Sequence, residues 1–166
     1  MKVLMINGSS RNNGCTRAAL DIMAEAFKEE GIETEIIFIG NQPIADCMNC
    51  KKCVTEHQCI FDDVVNEITT KAKDCDGFIF ASPVYYAHPS ARLLAVLDRA
   101  FYSNKSVFVY KPGACIFSAR RAGQVASMVS RATRPTDAPG ISVIDQRQLH
   151  NALTALSVVD DITDDA

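Results

Sequence analysis

"MKVLMINGSSRNNGCTRAALDIMAEAF", residues 1–27, carries three patterns in succession. Val3-Leu4-Met5-Ile6 is a short continuous apolar run, as expected of a strand covered on both faces. "GSSRNNGCT" (8–16) combines glycines with hydroxyl and amide side chains, and Leu20, Met23 and Phe27 then recur at helical spacing until Gly31 stops the helix. The strand, loop and helix order then repeats along the chain. Ile36-Ile37-Phe38-Ile39 is a second apolar run, and Asp62 and Asp63 open a helix with Val64, Ile68, Ala72 and Cys75 on one face. Phe78-Ile79-Phe80-Ala81 leads into "SPVYYAHPS" (82–90) and a helix carrying Leu93, Leu94, Leu97 and Phe101. A fourth run, Ala114-Cys115-Ile116-Phe117, ends in "SARRAG" (118–123). Apolar runs alternating with amphipathic helices predict right-handed βαβ units, hence a parallel sheet with helices on both faces.

A chain of 166 residues, 48% hydrophobic, is sized for one domain with a single core. Its net charge of −3 and scattered lysines and arginines argue against a nucleic-acid or anionic-membrane surface. The N-terminal apolar run stops at Ile6, short of a signal-peptide core, and no stretch is long enough for a membrane span, so the expected location is cytoplasmic. Composition breaks at Gln124: every aromatic residue, cysteine, lysine and glutamate lies before it. Residues 1–123 are therefore read as the folded domain, and 124–166 as an atypical, loosely packed tail with an acidic end, "VVDDITDDA". Within that tail, Ile141-Ser142-Val143-Ile144 is a candidate fifth, edge strand and Leu149 to Leu156 a candidate short helix.

In an open parallel sheet, ligands bind beyond the carboxyl ends of the strands, where strand order reverses. The loop after the first strand places Ser9, Ser10, Arg11 and Thr16 at a helix start, where backbone N–H groups and the helix dipole favour a phosphate; the alternative is an ordinary βα turn with Thr16 as N-cap. The loop after the third strand holds two prolines that fix the backbone, and Tyr85 and Tyr86 that offer flat faces to a planar ring or simply fill the core. His88 reads as a surface histidine. The third loop offers Ser118, Arg120 and Arg121 beside Gly123, or a solvated basic turn.

"CMNCKKCVTEHQC" (47–59) sets Cys47, Cys50, Cys53 and Cys59 at the spacing C-x2-C-x2-C-x5-C. A loop with this spacing can bring four thiolates around one 4Fe-4S cluster. Zinc suits it less, since structural zinc sites more often pair two separated C-x-x-C knuckles, and a redox disulfide would need only two thiols. An empty loop is the remaining alternative. Lys51 and Lys52 could offset cluster charge or face solvent, and His57 need not be a ligand.

Residues 1–27, "FIFASPVYYAHPSARLLAVLDRAF" (78–101) and "KPGACIFSARRAG" (111–123) together resemble the NADPH-dependent FMN reductase group of flavodoxin-like proteins, and the cysteine loop resembles that of iron–sulfur flavoproteins. The resemblance covers residues 1–123 and implies a flavodoxin-like three-layer sandwich with strand order 2-1-3-4, a fifth strand being doubtful. It implies that Ser9, Ser10, Arg11, Asn13, Cys15 and Thr16 surround the FMN phosphate. Pro83, Val84, Tyr85 and Tyr86 would wrap the ribityl chain and ring, and Ser118, Arg120 and Gly123 would complete the ring site. Position 10 is usually proline and position 15 asparagine in the family; here they are Ser10 and Cys15. The implied activity is electron transfer between NAD(P)H or ferredoxin and an acceptor, through FMN and a 4Fe-4S cluster, in a homo-oligomer. The rival readings are a cluster-free NAD(P)H:FMN or quinone reductase and an inactive flavin- or metal-binding module with an altered C-terminus. Placed after the second strand, the cysteine loop is expected near the carboxyl edge, beside the flavin.

Overall fold

The computed structural model describes residues 1–85 and 88–119. The four apolar runs become strands β1 (Lys2–Asn7), β2 (Glu33–Phe38), β3 (Gly77–Tyr85) and β5 (Gly113–Ser118) of one parallel sheet in the order β2-β1-β3-β5. Helices α1 (Cys15–Glu29), α3 (Val64–Lys71) and α4 (Ala91–Asn104) cross between them, and a single helical turn, α2 (Cys53–Glu56), lies in the cysteine loop. Counting only parallel strands, this is the expected 2-1-3-4 order. The candidate strand at 141–144 and helix at 149–156 lie outside the described residues.

The central strand β1 is apolar without alternation because helices cover both of its faces. Leu4 and Ile6 join Ile37, Phe78 and Phe80 beneath α3 and α4, where Val65, Ile68, Leu93 and Val96 are buried. Val3 and Met5 point the other way, with Ile79 and Ile116, beneath Ala19 and Leu20 of α1. The sheet is thus a layer between one helix and two, and its two cores differ by one residue of register. Phe108 packs edgewise between Phe78 and Phe101, its ring centroid 4.9 Å from each, closing the sheet end opposite the loops. Leu94, read from sequence as one of the apolar residues of α4, is instead 41% exposed.

"SPVYYAHPS" is more ordered than a plain loop. β3 continues through Tyr85, past its β1 partner, and a two-residue antiparallel strand β4 (His88–Pro89) pairs with its overhang through Val84↔Pro89 and Tyr85↔His88. Proline is tolerated there because β4 is an edge.

Candidate functional site

The carboxyl ends of β1, β3 and β5 meet on one edge and are tied together by hydrogen bonds across long sequence separations. Gly8 N–H donates to the Ala81 carbonyl at 2.7 Å. No side chain fits at Gly8, where a Cβ would lie 2.8 Å from that same carbonyl oxygen and 2.9 Å from Leu93 Cβ. Ser90 caps α4 through its hydroxyl, which also donates to the Gly8 carbonyl at 2.8 Å. Ser82 Oγ accepts from Ser90 N–H at 2.8 Å and donates to the Pro83 carbonyl at 2.9 Å. Thr16 Oγ1 lies 2.9 Å from Ser118 Oγ, joining the first loop to the third.

Within the first loop, Asn7 Oδ1 accepts from Ser9 N–H and Ser9 Oγ accepts from Arg11 N–H, each at 3.1 Å. This folds the loop so that Ser9 and Thr16 are buried while Ser10, Arg11, Asn13 and Cys15 are exposed. Thr16 is not the N-cap: Gly14 occupies that position, no side chain caps α1, and its first turn holds no acidic residue. The leading N–H groups are therefore available to an anion, next to the exposed Arg11. Asn7, which the sequence reading passed over, is fully buried at the base of the loop, and its Nδ2 has no hydrogen-bond partner among the described residues. At the end of β3 Pro83 and Val84 are half-buried and Tyr85 is 55% exposed. Ser118 is half-buried. Tyr86, Arg120 and Gly123 lie outside the described residues.

The four cysteines of 47–59 are free thiols that line one open pocket enclosing about 370 Å³, part of it solvent. Left-handed backbone at Asn49, Lys51 and His57, with φ of 53°, 60° and 52°, coils the segment on itself. Among the described residues no three Cys, His, Asp or Glu side chains converge as a ready metal site. The donor set nevertheless fits a thiolate-ligated cluster, because four cysteines free of disulfides line one pocket with no competing carboxylate among its lining residues. Elsewhere, burial pushes the Cys75 thiol up, and the Cys115 thiol up to about 11, so both remain protonated packing groups. Lys52 pairs with Glu56 at 3.5 Å, whereas Lys51 and His57 are exposed.

The pocket does not lie at the strand ends, contrary to the sequence expectation. The segment after β2 starts there, held by Arg92, which donates to the carbonyls of Gly40 and Asn41. It then descends over α3 and α4, so the cysteines pack beside Arg99, Tyr102 and Ser103. Ser90 and Tyr102 are separated by about 18 Å along α4, at 1.5 Å per residue.

Two further residues absent from the sequence reading fix the end of this loop. Asn66, buried in α3, accepts from Cys59 N–H at 2.9 Å and donates to the carbonyls of Cys59 and Phe61. Arg99 is 1% exposed. Its guanidinium holds Asp63 through bonds of 2.7 and 2.8 Å and donates Nε–H to Cys59 Sγ at 3.3 Å. Burial alone would lower its pKa, but the bonds to Asp63 and Cys59 outweigh that and hold it above the ordinary value. Asp63 also caps α3 by accepting from Val65 N–H, so one carboxylate serves both helix and arginine.

A parallel sheet ordered 2-1-3 with its fourth parallel strand beside β3, layered between helices and carrying converging loops at the carboxyl edge, defines a flavodoxin-like protein. Residues 1–138 match the NADPH-dependent FMN reductase family, and the chain belongs to it. The match continues past the compositional break at Gln124. The chain is similar to an iron-sulfur flavoprotein of Methanocaldococcus jannaschii, with 41% identity over 100 residues, 60% of this chain and 52% of that protein. It is also similar to an iron-sulfur flavoprotein of Methanosarcina thermophila, with 35% identity over 111 residues, 67% of this chain and 58% of the relative. The match thus spans little more than half the length of these relatives. Among solved structures, an NAD(P)H:quinone oxidoreductase from Methanothermobacter marburgensis shares the fold with a TM-score of 0.67 at 15% identity, over 100% of this chain and 98% of that one. No helix among the described residues is long and apolar enough to cross a membrane.

Proposed function

We propose that this chain binds FMN at the carboxyl edge and acts as an oxidoreductase, passing electrons between NAD(P)H or ferredoxin and an acceptor, with Cys47, Cys50, Cys53 and Cys59 holding a 4Fe-4S cluster. The observation that carries the flavin reading is the junction of three strand-end loops through Gly8–Ala81, Ser90–Gly8 and Thr16–Ser118 in a chain of this family. When bound, FMN supplies the link between two-electron hydride chemistry and one-electron transfer. The chain's own residues bind and orient. Ser9, Ser10, Asn13, Cys15, Thr16 and the uncapped start of α1 offer donors and space to the phosphate, and Arg11 balances its charge. Pro83, Val84 and Tyr85 form the wall against which the ring stacks, with Tyr86 next in sequence. Ser118 at the end of β5, with Arg120 and Gly123 following in sequence, completes the set, and donors near the ring would stabilise negative charge. No side chain is required as a general acid or base.

The cluster reading is supported by the four free thiols lining one pocket and by the names of the relatives, which are iron-sulfur flavoproteins. One ultraviolet–visible spectrum of anaerobically purified protein, with iron and sulfide analysis, tests both halves. Flavin bands with a broad charge-transfer shoulder and about four irons and four sulfides per chain are expected. Flavin without iron or sulfide after reconstitution leaves the second reading, a cluster-free NAD(P)H:quinone or FMN reductase, which the match to the NADPH-dependent FMN reductase family supports by itself. Absence of flavin absorbance after incubation with FMN defeats both and leaves a module without turnover.

A further inference from the structure

Arg99 is the largest fully buried side chain of the described residues, and its charge lies directly behind the cysteine pocket. A buried guanidinium requires a counter-charge and partners for its remaining donors. Asp63 supplies the first through two bonds, one to each terminal nitrogen. Of the rest, Nη1 also donates to the Ala45 carbonyl at 3.2 Å, the Phe61 ring lies 4.8 Å from the guanidinium carbon, and Nε donates to Cys59 Sγ. The ion pair with Asp63 supplies the counter-charge, and the Nε donor that it leaves over is directed at a sulfur that the proposed cluster would use. Because Asp63 compensates the charge, what reaches Cys59 is chiefly a directional N–H donor.

We infer that Arg99 is a positioning residue for Cys59 as a metal ligand. This rests on the cluster reading above. The Nε–H···Sγ bond fixes the direction of the Cys59 thiolate toward the pocket and draws electron density from it, and donors to ligating sulfur favour the more negatively charged, reduced form of a cluster. Arginine suits the role because its planar fork serves Asp63 and Cys59 together, whereas a lysine ammonium on a flexible stem cannot hold both in fixed geometry. Ala45 and Asp63, bound by the same guanidinium, bracket the cysteine loop in sequence, so Arg99 also sets where the loop begins and ends.

The test compares the full chain with Arg99→Lys, both reconstituted anaerobically with iron and sulfide. Far-ultraviolet circular dichroism checks the fold, metal analysis the loading, and EPR-monitored redox titration the potential. Arg99→Lys is expected to fold and to lower the cluster potential by about 59 mV, a tenfold change in a one-electron equilibrium. Loss of iron and sulfide from a natively folded Arg99→Lys chain equally supports the assignment. A loaded variant titrating at the wild-type potential overturns it. If Arg99→Lys does not fold, the double variant Arg99→Gln/Asp63→Asn takes its place: it replaces the ion pair by a neutral pair, keeps the α3 cap and removes the Nε donor, so the potential should fall, and a loaded double variant titrating at the wild-type potential overturns the inference. Wild-type protein that retains no iron and sulfide removes the cluster reading itself, before any variant is measured, and the inference with it.

Discussion

Thr16 and Ser118, 102 residues apart in sequence, meet hydroxyl to hydroxyl at 2.9 Å and join the first turn of α1 to the end of β5. Thr16 is 2% exposed, so its hydroxyl cannot exchange this partner for bulk water. Thr16→Val and Ser118→Ala should each destabilise the chain by about 1 kcal/mol, and a double-mutant cycle should give a coupling of similar size. Urea unfolding of the four proteins measures it; additive effects would mean that the bond does not tie the two loops.

Gly8 is required by space rather than by backbone conformation. Gly8→Ala drives a Cβ to 2.8 Å from the Ala81 carbonyl and 2.9 Å from Leu93 Cβ, so β1 and β3 must separate at their carboxyl ends. A cost of about 1 to 3 kcal/mol is expected, with weakened FMN binding because the first loop moves with Gly8. An unchanged urea midpoint would show that the junction yields freely.

Arg11 and Tyr85 stand at opposite ends of the proposed flavin site, and their variants should fail differently. Arg11→Ala should weaken FMN binding roughly tenfold and leave riboflavin, which lacks the phosphate, almost unaffected. Tyr85→Ala should weaken both ligands by similar factors, because the ring is common to them. Fluorescence titration with each flavin reads the pattern. Equal losses for Arg11→Ala would move the phosphate away from the first loop.

The parts legible in the sequence were those decided locally or by burial on both faces. Val3 to Ile6, Phe78 to Ala81 and Ala114 to Phe117 read as strands because helices cover the sheet, and Asp63 read as a helix start because its side chain caps within three residues. What stayed hidden depended on groups arriving from elsewhere. β4 exists only because β3 overruns β1 and leaves Val84 and Tyr85 a partnerless edge for His88 and Pro89. Arg99 carries no local signal of burial, because Ala45, Cys59 and Asp63 reach it only through the fold. The same path carries the cysteine pocket down α4, away from the edge where strand order alone would put it.

Glu35, on the edge strand β2, should give the fold a defined sensitivity to acid. Its carboxylate receives Lys2 Nζ at 2.8 Å and Lys71 Nζ at 2.7 Å, and these bonds, Lys2 first, hold its pKa below the ordinary value. Lys71 is correspondingly pushed up to about 12 by Glu35 and Glu67. A depressed carboxyl pKa contributes stability that is present above the unfolded value of about 4.3 and is lost as pH falls through the folded value. The lysine contribution is full below its unfolded pKa of about 10.4 and is lost as pH rises through about 12, so neutral pH contains both. These side chains are about one-third exposed, so solvent screening keeps the contribution small. Glu35→Gln should therefore lower the urea midpoint slightly at pH 7, and the gap should close progressively as pH falls below about 4.3 and the wild-type carboxylate is protonated. The gap at pH 7 should also narrow in 1 M salt. A gap that does not shrink on acidification would assign the loss to packing on β2 rather than to the charge pair.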